Sequence, residues 1–220
     1  MATRHAARPL TCLLALGMAG RCAAGALDVS VIDDHGAPLG LAAVYAIPDK
    51  PVTAPPPDET AVMDQSHKAF VPHVLVVQTG THVDFPNNDT VSHHVYSFSE
   101  AKSFELPLYK GDHYPPLVFD NAGVVVLGCN MHDDMLGYIV VVDTPYFALT
   151  DRSGKAHLPA LPAGHYTVRV WTERAARPTD LPAEREITYD GSNQALELRV
   201  KGKLLPEHDH GGSGLTWERY

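Results

Sequence analysis

Nowhere in the 220 residues do apolar side chains repeat at helical spacing over a long segment. They come in nine short runs, rich in β-branched and aromatic residues and bounded by Gly, Pro, Asn or Asp. The runs are Leu27 to Ile32, Ala42 to Ile47, Val71 to Val77, His82 to Phe85, His93 to Phe98, Val124 to Leu127, Tyr138 to Val142, Tyr166 to Trp171 and Ala195 to Val200. Side chains of this kind fit a pleated surface and the punctuating residues make turns, so the sequence predicts an all-β protein built from sandwiches. With 45% hydrophobic and 20% charged residues the chain is ordinary for a globular protein, long enough for one large or two small domains.

Residues 1–26 read as a secretory leader. Arg4, His5 and Arg8 give a positive start, Leu10 to Ala19 an apolar run too short to span a bilayer, and Ala24-Gly25-Ala26 a small-residue cleavage site. The expectation is an exported, periplasmic protein without membrane insertion, beginning near Leu27. Cleavage removes Cys12 and Cys22 and leaves Cys129 with no intramolecular disulfide partner. A lone thiol in an oxidising compartment is a liability unless buried or occupied, which favours a ligand role for it. Cleavage also takes Arg4, Arg8 and Arg21 from the 17 Lys+Arg, leaving 14 against 26 Asp+Glu and a net charge of −12 with His neutral. Such a surface repels nucleic acid and anionic lipid.

The stretch Cys129-Asn130-Met131-His132-Asp133-Asp134-Met135 sets a thiolate, an imidazole and a thioether at C-x2-H-x2-M spacing, between the strand Val124 to Leu127 and the strand Tyr138 to Val142. Three soft or borderline donors on one short loop suit a transition metal, copper above all. Zinc fits less well, because Met is not among its usual ligands and structural zinc sites favour several Cys. A metal held by these three would want another strong donor. His67, His73, His82 and His113 have no ligand-like spacing and read as surface or satisfied polar residues.

Upstream, Thr81-His82-Val83-Asp84-Phe85-Pro86-Asn87-Asn88-Asp89-Thr90-Val91-Ser92-His93-His94-Val95-Tyr96 gives a strand, an Asn-rich turn and a His opening the next strand. Together with the Cys loop, residues 64 to 143 resemble the cupredoxins, the blue-copper family of plastocyanin, pseudoazurin and amicyanin. The short spacing between His132 and Met135 is most similar to amicyanin. The longer pattern D-Q-S-H-K-A-F-V-P-H, S-H-H-V-Y-S-F-S and G-C-N-M-H-D-D-M-L-G-Y also resembles bacterial exported cupredoxin-like proteins labelled methylamine-utilisation proteins.

The resemblance implies a Greek-key sandwich holding one type 1 copper, with His93, Cys129, His132 and Met135 as metal ligands. Family members usually carry Asn after the first His; here His94 stands there, so His93 and His94 compete for the ligand role, with spacing favouring His93. Strand alternation then turns His94 away from the metal, where His94, Asn88 and Asn130 are candidates for bracing the ligands or as alternative ligands. Asp133 and Asp134 read as a solvated acidic rim, or as a feature that docks a partner or tunes the potential.

A second resemblance lies on either side. Asp33-Asp34-His35-Gly36-Ala37-Pro38-Leu39, then Thr150-Asp151-Arg152-Ser153-Gly154, then Leu161-Pro162-Ala163-Gly164-His165-Tyr166 resemble consecutive parts of a carboxypeptidase-regulatory-like, transthyretin-type β-sandwich. This implies a discontinuous domain of residues 27–48 plus 146–202, a Pro-rich linker at 49–63 and a cupredoxin domain at 64–145, inserted in a loop of the first or joined to it in tandem. Residues 203–220 read as a flexible tail whose His208-Asp209-His210 is a weak metal-binding candidate.

A thiolate and two imidazoles with a weak axial thioether tolerate both copper oxidation states and suit outer-sphere electron transfer. No position is left open for a substrate, so the expectation is an electron carrier serving redox protein partners, not an enzyme. Two alternatives stand beside it: a copper-binding or copper-delivery protein without a redox partner, and a β-sandwich interaction module with an incidental metal site.

Overall fold

The computed structural model describes residues 25–52, 54–111, 114–175, 177 and 183–206. The expected leader up to residue 24 with Cys12 and Cys22, His113, and the tail pair His208 and His210 lie outside them. Gly25, the first described residue, donates its N–H to the Gly191 carbonyl at 2.7 Å.

The described residues form an all-β fold. β1 (Leu27–Ile32) and β2 (Ala43–Pro48) come first. Then follow β3 (Ala61–Val62), β4 (Asp64–Ser66), β5 (Ala69–Val71), β6 (Val74–Gln78), β7 (Thr81–Asp84), β8 (His93–Phe98), β9 (Ser103–Tyr109), β10 (Leu117–Phe119), β11 (Gly123–Cys129) and β12 (Leu136–Val142). β13 (Phe147–Leu149), β14 (Lys155–Leu158), β15 (Gly164–Trp171), β16 (Ala183–Tyr189) and β17 (Gln194–Arg199) close the chain.

Strands from the two ends of the sequence share sheets. β14-β1-β17 and β13-β2-β15-β16 face each other across a core of Leu27, Val29, Val31, Val44, Val168, Val170 and Leu198. The strands between them make their own layers, β10-β7-β3 against β6-β12-β11-β8-β9, with the β4-β5 ribbon at the margin. Their core is built on Met63, Phe70, Phe85, Val95, Phe119, Val125, Leu127 and Ile139, and includes Cys129 and Met135.

Residues 61 to 63, read from sequence as the end of the linker, belong to this second sandwich: Ala61 and Val62 pair with Val83 and Asp84, and Met63 is fully buried. Only the stretch before them has the Pro density that keeps a chain out of a sheet.

β12 explains how the two sandwiches meet. Its run Tyr138-Ile139-Val140-Val141-Val142 is apolar without alternation, and all five residues are buried. Ile139 and Val141 point into the core with Cys129, while Tyr138, Val140 and Val142 pack on Ala43, Tyr45 and Trp171 of the other sandwich. A strand covered on both faces needs apolar side chains on both, which is why period-2 patterning is lost there. In this seam the His73 imidazole meets the Glu173 carboxylate at 2.7 Å, with both side chains under 10% exposed.

Candidate metal centre

The β11–β12 hairpin builds most of the site. Its ladder runs antiparallel as far as the Gly128–Leu136 pairing, so Cys129 to Met135 form the turn beyond it. The Met135 N–H donates to the His132 carbonyl at 3.0 Å and folds this segment back. Cys129, the last residue of β11, and Met135, just before β12, are both buried, at 4% and 2% exposure. Strand geometry at either end thus fixes both sulfur side chains toward the core, while His132 between them stays half-buried and Met131, Asp133 and Asp134 are exposed.

His93 arrives from the neighbouring strand. β8 pairs with β11 through Val95 and Cys129, which sets the opening residue of β8 beside the thiol. Alternation along β8 is regular: His93, Val95 and Ser97 are buried, whereas His94, Tyr96 and Phe98 face the other way. His93 Nδ1 lies 3.6 Å from Cys129 Sγ, and His132 Nδ1 lies 3.9 Å from the same sulfur. The imidazole rings stand 5.0 Å apart between centroids. One ligand atom from each of His93, Cys129 and His132 falls within 4.8 Å of the others, a group that can hold a metal ion.

The other residues singled out from sequence fall around this group. His94 accepts from Asn130 Nδ2 and reaches Glu105 Oε1 at 2.8 Å through Nε2, while Asn130 N–H donates to the His94 carbonyl at 3.3 Å. His94 and Asn130 therefore tie β8 to the start of the Cys loop from the side away from the sulfur. Asn88 is exposed, its N–H on Asp64 Oδ1 at 3.4 Å. The Asn that builds the turn is its neighbour: Asn87 is buried, donates to the carbonyls of Val91 and Tyr109, and accepts the Asp89 N–H. Its burial carries the difference, since an interior amide must satisfy both ends within the protein. Of the histidines without ligand-like spacing, His67 and His82 are exposed and His73 sits in the seam.

Sequence reasoning passed over Asp89. Its Oδ2 accepts His93 Nε2–H at 3.0 Å, leaving the Nδ1 lone pair for the sulfur side. Partial burial alone would raise this carboxyl; the Lys68 N–H, the His93 imidazole and the Thr90 N–H outweigh it and hold the pKa at about 2. Burial lowers the His132 imidazole below its ordinary value, as does the charge His93 would carry if protonated, so His132 keeps its lone pair free at neutral pH. A soft metal binds cysteine as the thiolate and histidine through a free nitrogen lone pair, so the environment of His132 suits a ligand role.

No protein-family model matches the chain, and no curated protein matches it. Among solved structures it is similar to a purple cupredoxin from Nitrosopumilus maritimus, at 25% identity over 37% of this chain and 99% of the other, with a TM-score of 0.34. It is also similar to a reduced Cu(I) form of amicyanin at pH 4, at 22% identity over 44% of this chain and 99% of the other, TM-score 0.36. An oxidised amicyanin variant stands at 21% identity with the same coverage and a TM-score of 0.35. The likeness of the outer sandwich to transthyretin-type domains rests on its sequence motifs alone.

Proposed function

We propose that this protein is a periplasmic type 1 copper protein that carries single electrons between redox protein partners, with one copper ion held by His93, Cys129, His132 and Met135. The observation that carries the reading is a buried Cys129 thiol with the Nδ1 atoms of His93 and His132 at 3.6 and 3.9 Å. One thiolate, two imidazoles and a nearby buried thioether form a donor set suited to copper rather than to hard cations. When bound, copper supplies a one-electron couple whose two oxidation states this donor set tolerates.

The chain's part is to hold the two sulfur donors still and dry. Val125, Leu127 and Ile139 pack in the same core as Cys129 and Met135, so the sulfur atoms cannot swing out to water without opening that core. Rigid donors keep reorganisation small when an electron arrives or leaves. Four protein donors also leave no position for a substrate, which argues for a carrier over a catalyst. The acidic balance of the exported chain suits partners that present basic surfaces. The outer strands are read as a transthyretin-like domain carrying the metal-bearing sandwich as an insertion.

Absorption of the purified copper-loaded protein is the test. The expected result is an intense visible thiolate-to-copper band that disappears in Cys129→Ser. A Cu(II) form without that band, or one indifferent to Cys129, overturns the reading. Transfer of copper rather than of an electron to an acceptor would make it a delivery protein.

A further inference from the structure

The imidazole of His93 is backed by a built structure. Its Nε2–H donates to Asp89 Oδ2 at 3.0 Å, and both side chains are nearly sealed from solvent, at 0% and 7% exposure. The carboxylate is itself clamped: Lys68 N–H donates to Oδ2 at 2.6 Å, and Thr90 donates its N–H to Oδ1 at 2.6 Å and its hydroxyl at 3.3 Å. The Lys68 N–H is delivered by the tight turn between β4 and β5, where His67 and Lys68 take φ values of 53° and 59°. Non-glycine residues seldom adopt that conformation, and two in succession mark a turn that brings a particular N–H to a particular place. From the other side, Asn87 Oδ1 accepts the Asp89 N–H at 2.9 Å.

Resting on the reading that copper occupies this centre, we propose that Asp89 is a positioning residue of the site. It fixes His93 as the Nε2–H tautomer with Nδ1 toward Cys129, and its charge favours the more oxidised copper state. A carboxylate behind a metal-binding imidazole orients the ring and raises its basicity. A fixed negative charge in a poorly solvated position also interacts more strongly with the more highly charged form of the centre. A turn-building role alone would need the contacts with Lys68 and Thr90 and predicts no effect on either tautomer or potential.

Two measurements test this. In metal-free wild-type protein labelled with 15N-histidine, NMR is expected to show His93 protonated at Nε2; protonation at Nδ1 overturns the proposal. In copper-loaded Asp89→Asn, which keeps an acceptor but loses the charge, the thiolate band is expected to persist. The Cu(I)-to-Cu(II) affinity ratio should rise about tenfold, or ~59 mV in potential for one electron. Asp89→Glu should return the potential toward wild type. A retained band with an unmoved potential overturns the proposal. If wild type forms no thiolate band, the copper reading has failed, and the tautomer measurement still decides the role of Asp89; the same measurement decides if Asp89→Asn does not fold.

Discussion

Phe70 lies directly against the backbone of Gly137. A Cβ at position 137 would stand 2.9 Å from both Cβ and Cδ2 of Phe70. Phe70 is buried on β5 and Gly137 is the second residue of β12, so this approach seats the β4–β5 ribbon on the strand leaving the Cys loop. Its Cβ cannot retreat without moving the ribbon backbone. Gly137→Ala is expected to destabilise the protein by about 1–3 kcal/mol through overpacking. The check is the midpoint of denaturant unfolding; a midpoint equal to wild type would show that the ribbon gives way freely.

The seam between the sandwiches offers a second test. Glu173 and His73 meet there at 2.7 Å with both side chains buried, and the His73 ring stands edge-on to Tyr138, which in turn packs on Trp171. Glu173→Ala removes an acceptor from a buried imidazole nitrogen, at an expected cost of about 1–3 kcal/mol. Because Val74, Val140 and Val142 share that seam, hydrogen exchange should quicken in β6 and β12 before it does in β1 or β17. Uniform quickening across all four strands would mean that the pair stabilises the whole fold, not the junction.

How much of this was legible depends on how locally each feature is encoded. Cys129, His132 and Met135 lie within seven residues, so their spacing alone marks a soft-metal loop. The opposite facing of His93 and His94 follows from strand alternation once β8 is recognised, and the structure brings the former beside the thiol. Asp89 left no such trace: its link to His93 depends on a turn shaped by Asn87 and on a backbone N–H from Lys68, 21 residues away in sequence. The strands that carried no apolar run were also missed. β9 reads Ser103-Phe104-Glu105-Leu106-Pro107-Leu108-Tyr109 with a Pro inside, which an edge strand tolerates and a central one does not. Tyr138 and Trp171 show no sign in sequence of facing each other, because the seam joins residues of two different sheets.

The turns of the outer sandwich predict an acid response. Asp151 accepts the Ser153 N–H and hydroxyl at 2.8 and 2.7 Å and the Lys155 N–H at 3.0 Å. The Lys155 N–H, followed by the Ser153 hydroxyl, lowers the carboxyl below its ordinary value. A depressed folded-state pKa contributes stability above the unfolded value of 3.8 and loses it as pH falls through the folded value. Asp151→Asn, which keeps the acceptor but not the charge, should cost no more than about 1 kcal/mol at neutral pH because the group is exposed. That gap should begin to shrink as pH drops below about 4 and vanish once the pH lies below the folded-state value, where folded wild type is protonated too. Thermal unfolding at a series of pH values reads it; a gap constant down to pH about 2 would show that the charge is not what the turn uses.

Met135 separates the packing role of the loop from its ligand role. It is 2% exposed and sits in one core cluster with Phe70, Val125, Leu127 and Ile139, so its thioether is a filler and, on the copper reading, would also serve as a donor to the metal. Met135→Leu conserves volume and should change the stability of the metal-free protein by less than about 1.5 kcal/mol. His93, Cys129 and His132 are untouched by the change, so the copper-loaded variant should keep its thiolate band. Its potential should rise, because losing a donor and gaining apolar surroundings disfavours the more highly charged copper state. Voltammetry and denaturant unfolding of the same preparation check both halves. An unchanged potential with the band intact would place the Met135 sulfur outside the coordination sphere, leaving it as a core side chain that happens to share the loop with the ligands.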